Sequence, residues 1–308
     1  MMFKNSIKLL CSNFDKVWKL LVYHILSMGI CFGLLCVFHA EYSNILNYAF
    51  TESNLGSVIE AGTLYGASIA TAITKLCNFV IIFFQQLFVG NIGIGVYFCI
   101  ITFFVFPLFL NIGKYVTCEM MYGYMSSCQK QSFTGTFLKT LKGSLSYSIV
   151  KVVYSLPFNA LIALCIWAFT RIESPVFDYI LPFVLVLVPA LLLSYKSIFI
   201  SGWAPAQVVY NHNTLSSFSI GFRATIRRLS KIFSTSFVIY LLAIVLSILL
   251  GVYSLLIIIP IISPLVHIFD MVAFFSSQGM RFYEDADTII SPKKLEEIDK
   301  IEDAKYLL

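Results

Sequence analysis

Between residues 236 and 276 the chain runs 41 residues with no lysine, arginine or glutamate and a single aspartate, Asp270. As one helix that stretch would be about 60 Å long, twice the thickness of a bilayer core of about 30 Å. It therefore reads as two membrane-crossing helices, with Gly251 or the Pro260/Pro264 pair as the turning point. Four further stretches, 20–38, 92–112, 149–169 and 179–199, are apolar over the roughly 20 residues that a crossing needs. With 235–253 and 255–276 they make six expected spans. Composition agrees. Of 308 residues, 59% are hydrophobic and 12% charged, too apolar for a soluble core to hide.

Charge between the spans sets an expected orientation. Lys4, Lys8, Lys16 and Lys19 precede the first span, whereas 40–75 carries Glu41, Glu52, Glu60 and one lysine, Lys75. Segment 113–151 is basic (Lys114, Lys130, Lys139, Lys142, Lys151). Segment 170–178 sets Arg171 against Glu173 and Asp178, and 196–231 is basic again (Lys196, Arg223, Arg227, Arg228, Lys231). Basic loops stay cytoplasmic. Six spans with both termini in the cytoplasm satisfy that alternation, and a seventh at 64–90 would break it. The apolar run there, followed by Gln85, Gln86 and Asn91, is expected to lie on or dip into the outer face. With no small-x-small cleavage site after it, the first span reads as a retained anchor.

Each basic segment contains an amphipathic helix at helical spacing. In the first, Phe3, Ile7, Leu10, Phe14, Val17, Trp18 and Leu21 share a face opposite the lysines. In the second, Phe133, Phe137, Leu138, Leu141 and Leu145 oppose Lys139 and Lys142. In the third, Leu215, Phe218, Phe222, Ile226, Leu229, Ile232 and Phe233 lie away from Arg223, Arg227, Arg228 and Lys231. Ser132-Phe133, Phe137 and Thr140-Leu141-Lys142 match Ser217-Phe218, Phe222 and Thr225-Ile226-Arg227, 85 residues on. A glycine follows each span pair: Gly113, Gly202 and Gly279. The expected fold is thus all-α, an integral membrane helical bundle. It has six transmembrane helices as three repeats of an amphipathic interfacial helix plus a two-span hairpin. The repeats cover about 1–128, 129–213 and 214–290, within one transmembrane domain, 1–290, with an outer-face insertion at about 40–90. Residues 291–308, opening on Ser291-Pro292, read as a short charged cytoplasmic tail.

Such helices bury Phe and Leu at the acyl boundary and offer Lys and Arg to anionic headgroups. Lys4, Lys8, Lys16, Lys139, Lys142, Arg223, Arg227, Arg228 and Lys231 are the candidate headgroup ligands. Inside the membrane an ionisable side chain needs a reason. His267 and Asp270, three residues apart on one helix face, form a candidate polar pair, with Asp270 holding a proton of His267. His24 is expected near an interface. Neither His267-x-x-Asp270 nor the eight unpaired cysteines supply a zinc set, so no metal and no cofactor is expected. No catalytic fingerprint occurs, and Glu119 and Tyr122 have no partner in the sequence.

Three phrases carry a resemblance: Cys118-Glu119-Met120-Met121-Tyr122-Gly123-Tyr124, Ser201-Gly202-Trp203-Ala204-Pro205, and Arg281-Phe282-Tyr283 before Asp287-Thr288. With the layout, they resemble uncharacterised polytopic membrane proteins of low-GC Gram-positive bacteria. The resemblance implies a multi-pass protein of a bacterial plasma membrane. The helix-plus-hairpin layout is also similar to the membrane domain of glycerophosphodiester phosphodiesterases. Without their catalytic barrel, that activity is not expected here. The leading expectation is a non-enzymatic protein that engages anionic lipid or assists transport, with membrane lipids and a partner membrane protein as partners and no nucleic acid. The alternatives are a transporter or channel with a polar path through the last span at His267 and Asp270, and a membrane enzyme acting on lipid.

Overall fold

The computed structural model describes residues 2–56, 69–169, 175–250 and 258–291. The acidic connection at 170–174, Glu60, the turning point Gly251 and the tail from Pro292 onward lie outside them. Within them the chain is almost wholly helical. Five helical stretches are long and apolar enough to cross a membrane: Phe14–Glu52, Ile92–Ser127, Phe133–Phe169, Phe183–Tyr210 and Leu229–Ser247.

Helix α1 (Met2–Ser12) ends at Asn13, whose side-chain amide donates to the Leu9 carbonyl at 3.0 Å. Helix α2 (Phe14–Leu35) then runs through a 3₁₀ turn into α3 (His39–Glu52). The 39 residues Phe14–Glu52 would span about 58 Å, so α3 stands beyond any bilayer that α2 crosses. Helix α4 (Ile69–Gly90) folds back on α3. The apolar part described within it, Lys75–Gly90, is shorter than a crossing. Tyr42, Ala49, Phe83, Leu87 and Ile94 close a small separate core at this end.

Asn91 caps the next helix by accepting the Gly93 N–H at 2.9 Å. That helix, α5 (Ile92–Ile100), passes through a π-helical turn at Ile101–Val105 into α6 (Phe106–Ser127). Pro107, which lacks an N–H, follows the turn directly, and a second π turn at Ile258–Ile262 likewise sits at Pro264. Helix α7 (Phe133–Phe169) carries Pro157 without a break. The remaining helices are α8 (Pro175–Ile200), α9 (Trp203–Tyr210), α10 (Thr214–Ile226), α11 (Leu229–Leu250) and α12 (Ser263–Gln278).

The main core lies at the basic end of the bundle. The inner part of α6 from Ile112 to Met125, α9, and α12 from Leu265 to Phe275 supply most of its buried side chains, Met121, Trp203 and Phe274 among them. Helix α1, the first turns of α7, and α10 wrap around them. Each of the three core helices ends in a left-handed residue, Cys128 (φ 56°), Asn211 (φ 51°) and Gly279 (φ 69°). Of the three glycines named above, only Gly279 is such a cap. Gly113 sits inside α6, where a β-carbon would lie 3.0–3.3 Å from Leu20, Tyr23 and His24.

The amphipathic helices differ from expectation in two ways. The second is not separate, because residues 133–145 continue straight into the span as one 37-residue helix. Nor do all three lay their whole apolar face outward. Leu10, Val17, Phe133 and Ile232 are buried in the protein, while Phe3, Phe14, Trp18, Leu138, Leu215 and Leu229 are exposed. Close approach is made by small polar residues instead: Asn5 and Ser6, Thr136 and Ser144, Ser217, Gly221 and Thr225. Small side chains let backbones meet, which frees the large apolar ones for lipid.

After α12 a two-strand hairpin, β1 (Phe282–Tyr283) and β2 (Ile289–Ile290), pairs Phe282 with Ile290. It presents buried Glu284 to Lys8 of α1 at 2.8 Å, tying the first helix to the end of the last. The hydrogen bond to Glu284 holds the Lys8 ammonium above its ordinary value of 10.5. A raised folded value makes this contribution complete below pH 10.5 and lost as pH rises through the shifted value. Amide exchange in 2–12 should therefore be unchanged by this pair from pH 6 to 9. It should rise locally in Glu284→Gln, and a variant with wild-type protection would show that the latch holds nothing.

Candidate charge centre inside the bundle

Three lysines that the charge pattern assigns to loops lie within the helices. Lys114 is buried in α6, Lys151 lies midway along α7, and Lys196 lies near the end of α8. At 1.5 Å per residue, Lys114 and Lys196 each sit about 20 Å from the left-handed residue ending their stretch, and Asp270 about 14 Å from Gly279.

Lys114 Nζ donates to Asp270 Oδ2 as a buried ion pair between α6 and α12. This corrects the expected pairing of Asp270 with His267, whose Nδ1 has no hydrogen-bond partner among the described residues. A helix neighbour three residues away loses to a lysine arriving from the facing helix, because the ammonium brings a full charge. Lys196 donates to Asn159 Oδ1 at 2.6 Å, joining α8 to α7. Lys151 Nζ stands 5.2 Å from the centroid of the Tyr147 ring. Tyr147 is fully buried, and its ring meets Tyr115 at 5.6 Å and Trp203 at 5.7 Å. Its hydroxyl is unpartnered among the described residues. His24 is also buried among its neighbours, with Nε2 likewise unpartnered among the described residues. Lys151 lies within electrostatic range of Lys114, Lys196 and Asp270, and His267 within range of Lys114 and Lys151.

The basic surface residues divide into two sets. Lys8 is committed to Glu284, Lys139 lies 3.8 Å from Glu119, and Lys16 lies 3.5 Å from Asp15. Lys4, Lys142, Arg223, Arg227, Arg228 and Lys231 are exposed and have no acidic partner among the described residues. Tyr122 packs on Phe275, so Glu119 and Tyr122 both have structural partners. Among the described residues no three His, Cys, Asp or Glu side chains converge as a metal site requires.

Sequence reasoning located His267 and Asp270 but missed the lysines. The signal was present: Val150-Lys151-Val152 and Gly113-Lys114-Tyr115-Val116 set single charges in apolar surroundings.

The long apolar helices and the buried charge centre are the features of a multi-pass α-helical membrane protein. Comparison with protein-family models, curated proteins and solved structures gives no match.

Proposed function

We propose that this is a non-enzymatic multi-pass protein of a bacterial plasma membrane that engages anionic lipid headgroups at the cytoplasmic face or assists transport. One observation carries the reading. Among the described residues, six exposed basic side chains without acidic partners lie beside exposed Phe, Trp and Leu side chains at one end of the bundle. That combination suits the boundary between acyl chains and anionic headgroups, where each cation contributes about 1 kcal/mol.

The reading includes six spans, both termini cytoplasmic, and three repeats. Support for the repeat comes from packing. Phe133 stacks on Phe137 at 6.3 Å and Phe218 on Phe222 at 6.2 Å, the pairs 85 residues apart. Phe133 meets Tyr23 of the preceding first span at 5.7 Å, and Phe218 meets Tyr154 of the next at 4.9 Å. The sixth of these spans, 255–276, is described from Ile258 onward, as the π turn and α12. A second reading, a transporter or channel with a polar path through the last span, is favoured by the Lys114–Asp270 pair, since intramembrane charges line such paths.

The test is lipid preference. Wild-type protein in nanodiscs of mixed phosphatidylglycerol and phosphatidylcholine should retain phosphatidylglycerol preferentially. Arg223→Gln, Arg227→Gln and Arg228→Gln together should weaken that retention roughly 100-fold. A triple variant with undiminished preference would overturn the proposal.

A further inference from the structure

We infer that a cleft at the end of the bundle away from the basic helices binds one membrane lipid with an uncharged, hydroxyl-bearing headgroup. The cleft lies between the last turn of α2, α3, and the parts of α4 and α5 that carry Phe83 and Phe98, and its volume is about 320 Å³. That is at the lower end for ligand sites, so it takes one acyl chain with the start of its headgroup rather than a whole diacyl lipid. Its floor is a ring cluster. Phe98 meets Phe83 at 5.4 Å and Tyr42 at 5.5 Å, and both partners are buried. Phe32, Leu35 and Cys36 form an apolar mouth. Phe32, 69% exposed, continues the exposed apolar surface of α2 that Ile25, Leu26 and Ile30 begin.

The other half of the cleft is polar. His39, Ser43 and Asn47, spaced four residues apart, share one face of α3 and line it. None of these three side chains makes a hydrogen bond among the described residues. No lysine, arginine, aspartate or glutamate lines the cleft among the described residues. Depth puts the change of polarity at the membrane surface. A crossing that begins after Lys19 covers a core of about 30 Å in about 20 residues and ends near His39. Ser43 and Asn47 lie about 6 and 12 Å farther along α3, at headgroup level and just beyond it. An apolar lower half under a hydrogen-bonding upper half is the polarity profile of a lipid. A phosphate would arrive there with no lysine or arginine to meet it. Hydroxyl groups instead donate to and accept from His39, Ser43 and Asn47. The inference rests on the multi-pass reading and uses none of the cations at the opposite end.

The experiment places the full chain in phosphatidylcholine nanodiscs doped with a trace of monoglucosyl diacylglycerol that carries a diazirine in its acyl chain. Irradiation should label residues 32–47 and 83–98. Unlabelled monoglucosyl diacylglycerol should displace the label, and the same amount of phosphatidylethanolamine should not. Cys36→Trp, which fills the mouth from an exposed position, should abolish labelling. Ser43→Leu with Asn47→Leu should weaken it at least about 10-fold, because two hydrogen bonds to the headgroup are lost. All three positions are at least partly exposed, so the changes leave the core intact. These discs hold no anionic lipid, and the chain carrying Arg223→Gln, Arg227→Gln and Arg228→Gln should label as wild type. Failure of headgroup binding at the basic end is thereby read separately. Labelling spread evenly along the spans, equal displacement by phosphatidylethanolamine, or labelling indifferent to both cleft variants overturns the inference.

Discussion

Asp270→Asn is expected to cost about 3–5 kcal/mol of stability, because it strands the Lys114 ammonium inside the bundle. Lys114→Met should cost a similar amount by stranding the carboxylate. The paired change Lys114→Met with Asp270→Leu should recover most of the loss, since an apolar pair of similar volume needs no partner. Chemical unfolding in nanodiscs measures all three. Single variants as stable as wild type would show that water reaches the pair. A double variant as poor as the sum of the singles would show that each residue acts through a different neighbour.

Gly221 gives the second large effect. A β-carbon there would lie 2.4 Å from the Gly202 carbonyl oxygen and 2.8 Å from the Trp203 nitrogen. Both obstacles are backbone, so no rotamer relieves them, and α10 must separate from the α8–α9 junction. Gly221→Val should therefore cost at least about 3 kcal/mol, at the upper end for overpacking. It should also raise amide exchange across 214–226. Gly29, in α2, is the control, because a β-carbon added there would meet nothing within 4 Å. Gly29→Ala should be neutral or stabilising by up to about 1 kcal/mol. A Gly221→Val variant as stable as Gly29→Ala would show that the backbone contact does not decide.

The spans were legible because lipid rewards length and apolarity alone, and 92–112 and 149–169 needed no knowledge of neighbours. What was lost is where helices stop being apolar without ending. Ile92–Ser127 is continuous, and its inner third is buried against other helices rather than against lipid. A pattern that ends a span at the first lysine assigns Lys114 to a loop. The charge alternation survives the correction. Without Lys114, Lys151 and Lys196, the basic end still keeps Lys130, Lys139, Lys142, Arg223, Arg227, Arg228 and Lys231. The pairing of Asp270 was hidden for a different reason. Its partner lies 156 residues away, and local spacing favours His267. The free cations at the surface were partly legible, but Glu284, which occupies Lys8, acts through a hairpin that no apolar pattern marks.

Sidedness is the central claim: the three basic helices share the cytoplasmic surface, with 39–56 on the opposite one. Single cysteines at Ser216 and Glu52, both exposed, test it in an otherwise cysteine-free chain. With a membrane-impermeant thiol reagent on intact cells, Glu52→Cys should label at once and Ser216→Cys only after permeabilisation. Labelling of Ser216→Cys in intact cells, or protection of Glu52→Cys, would contradict the account.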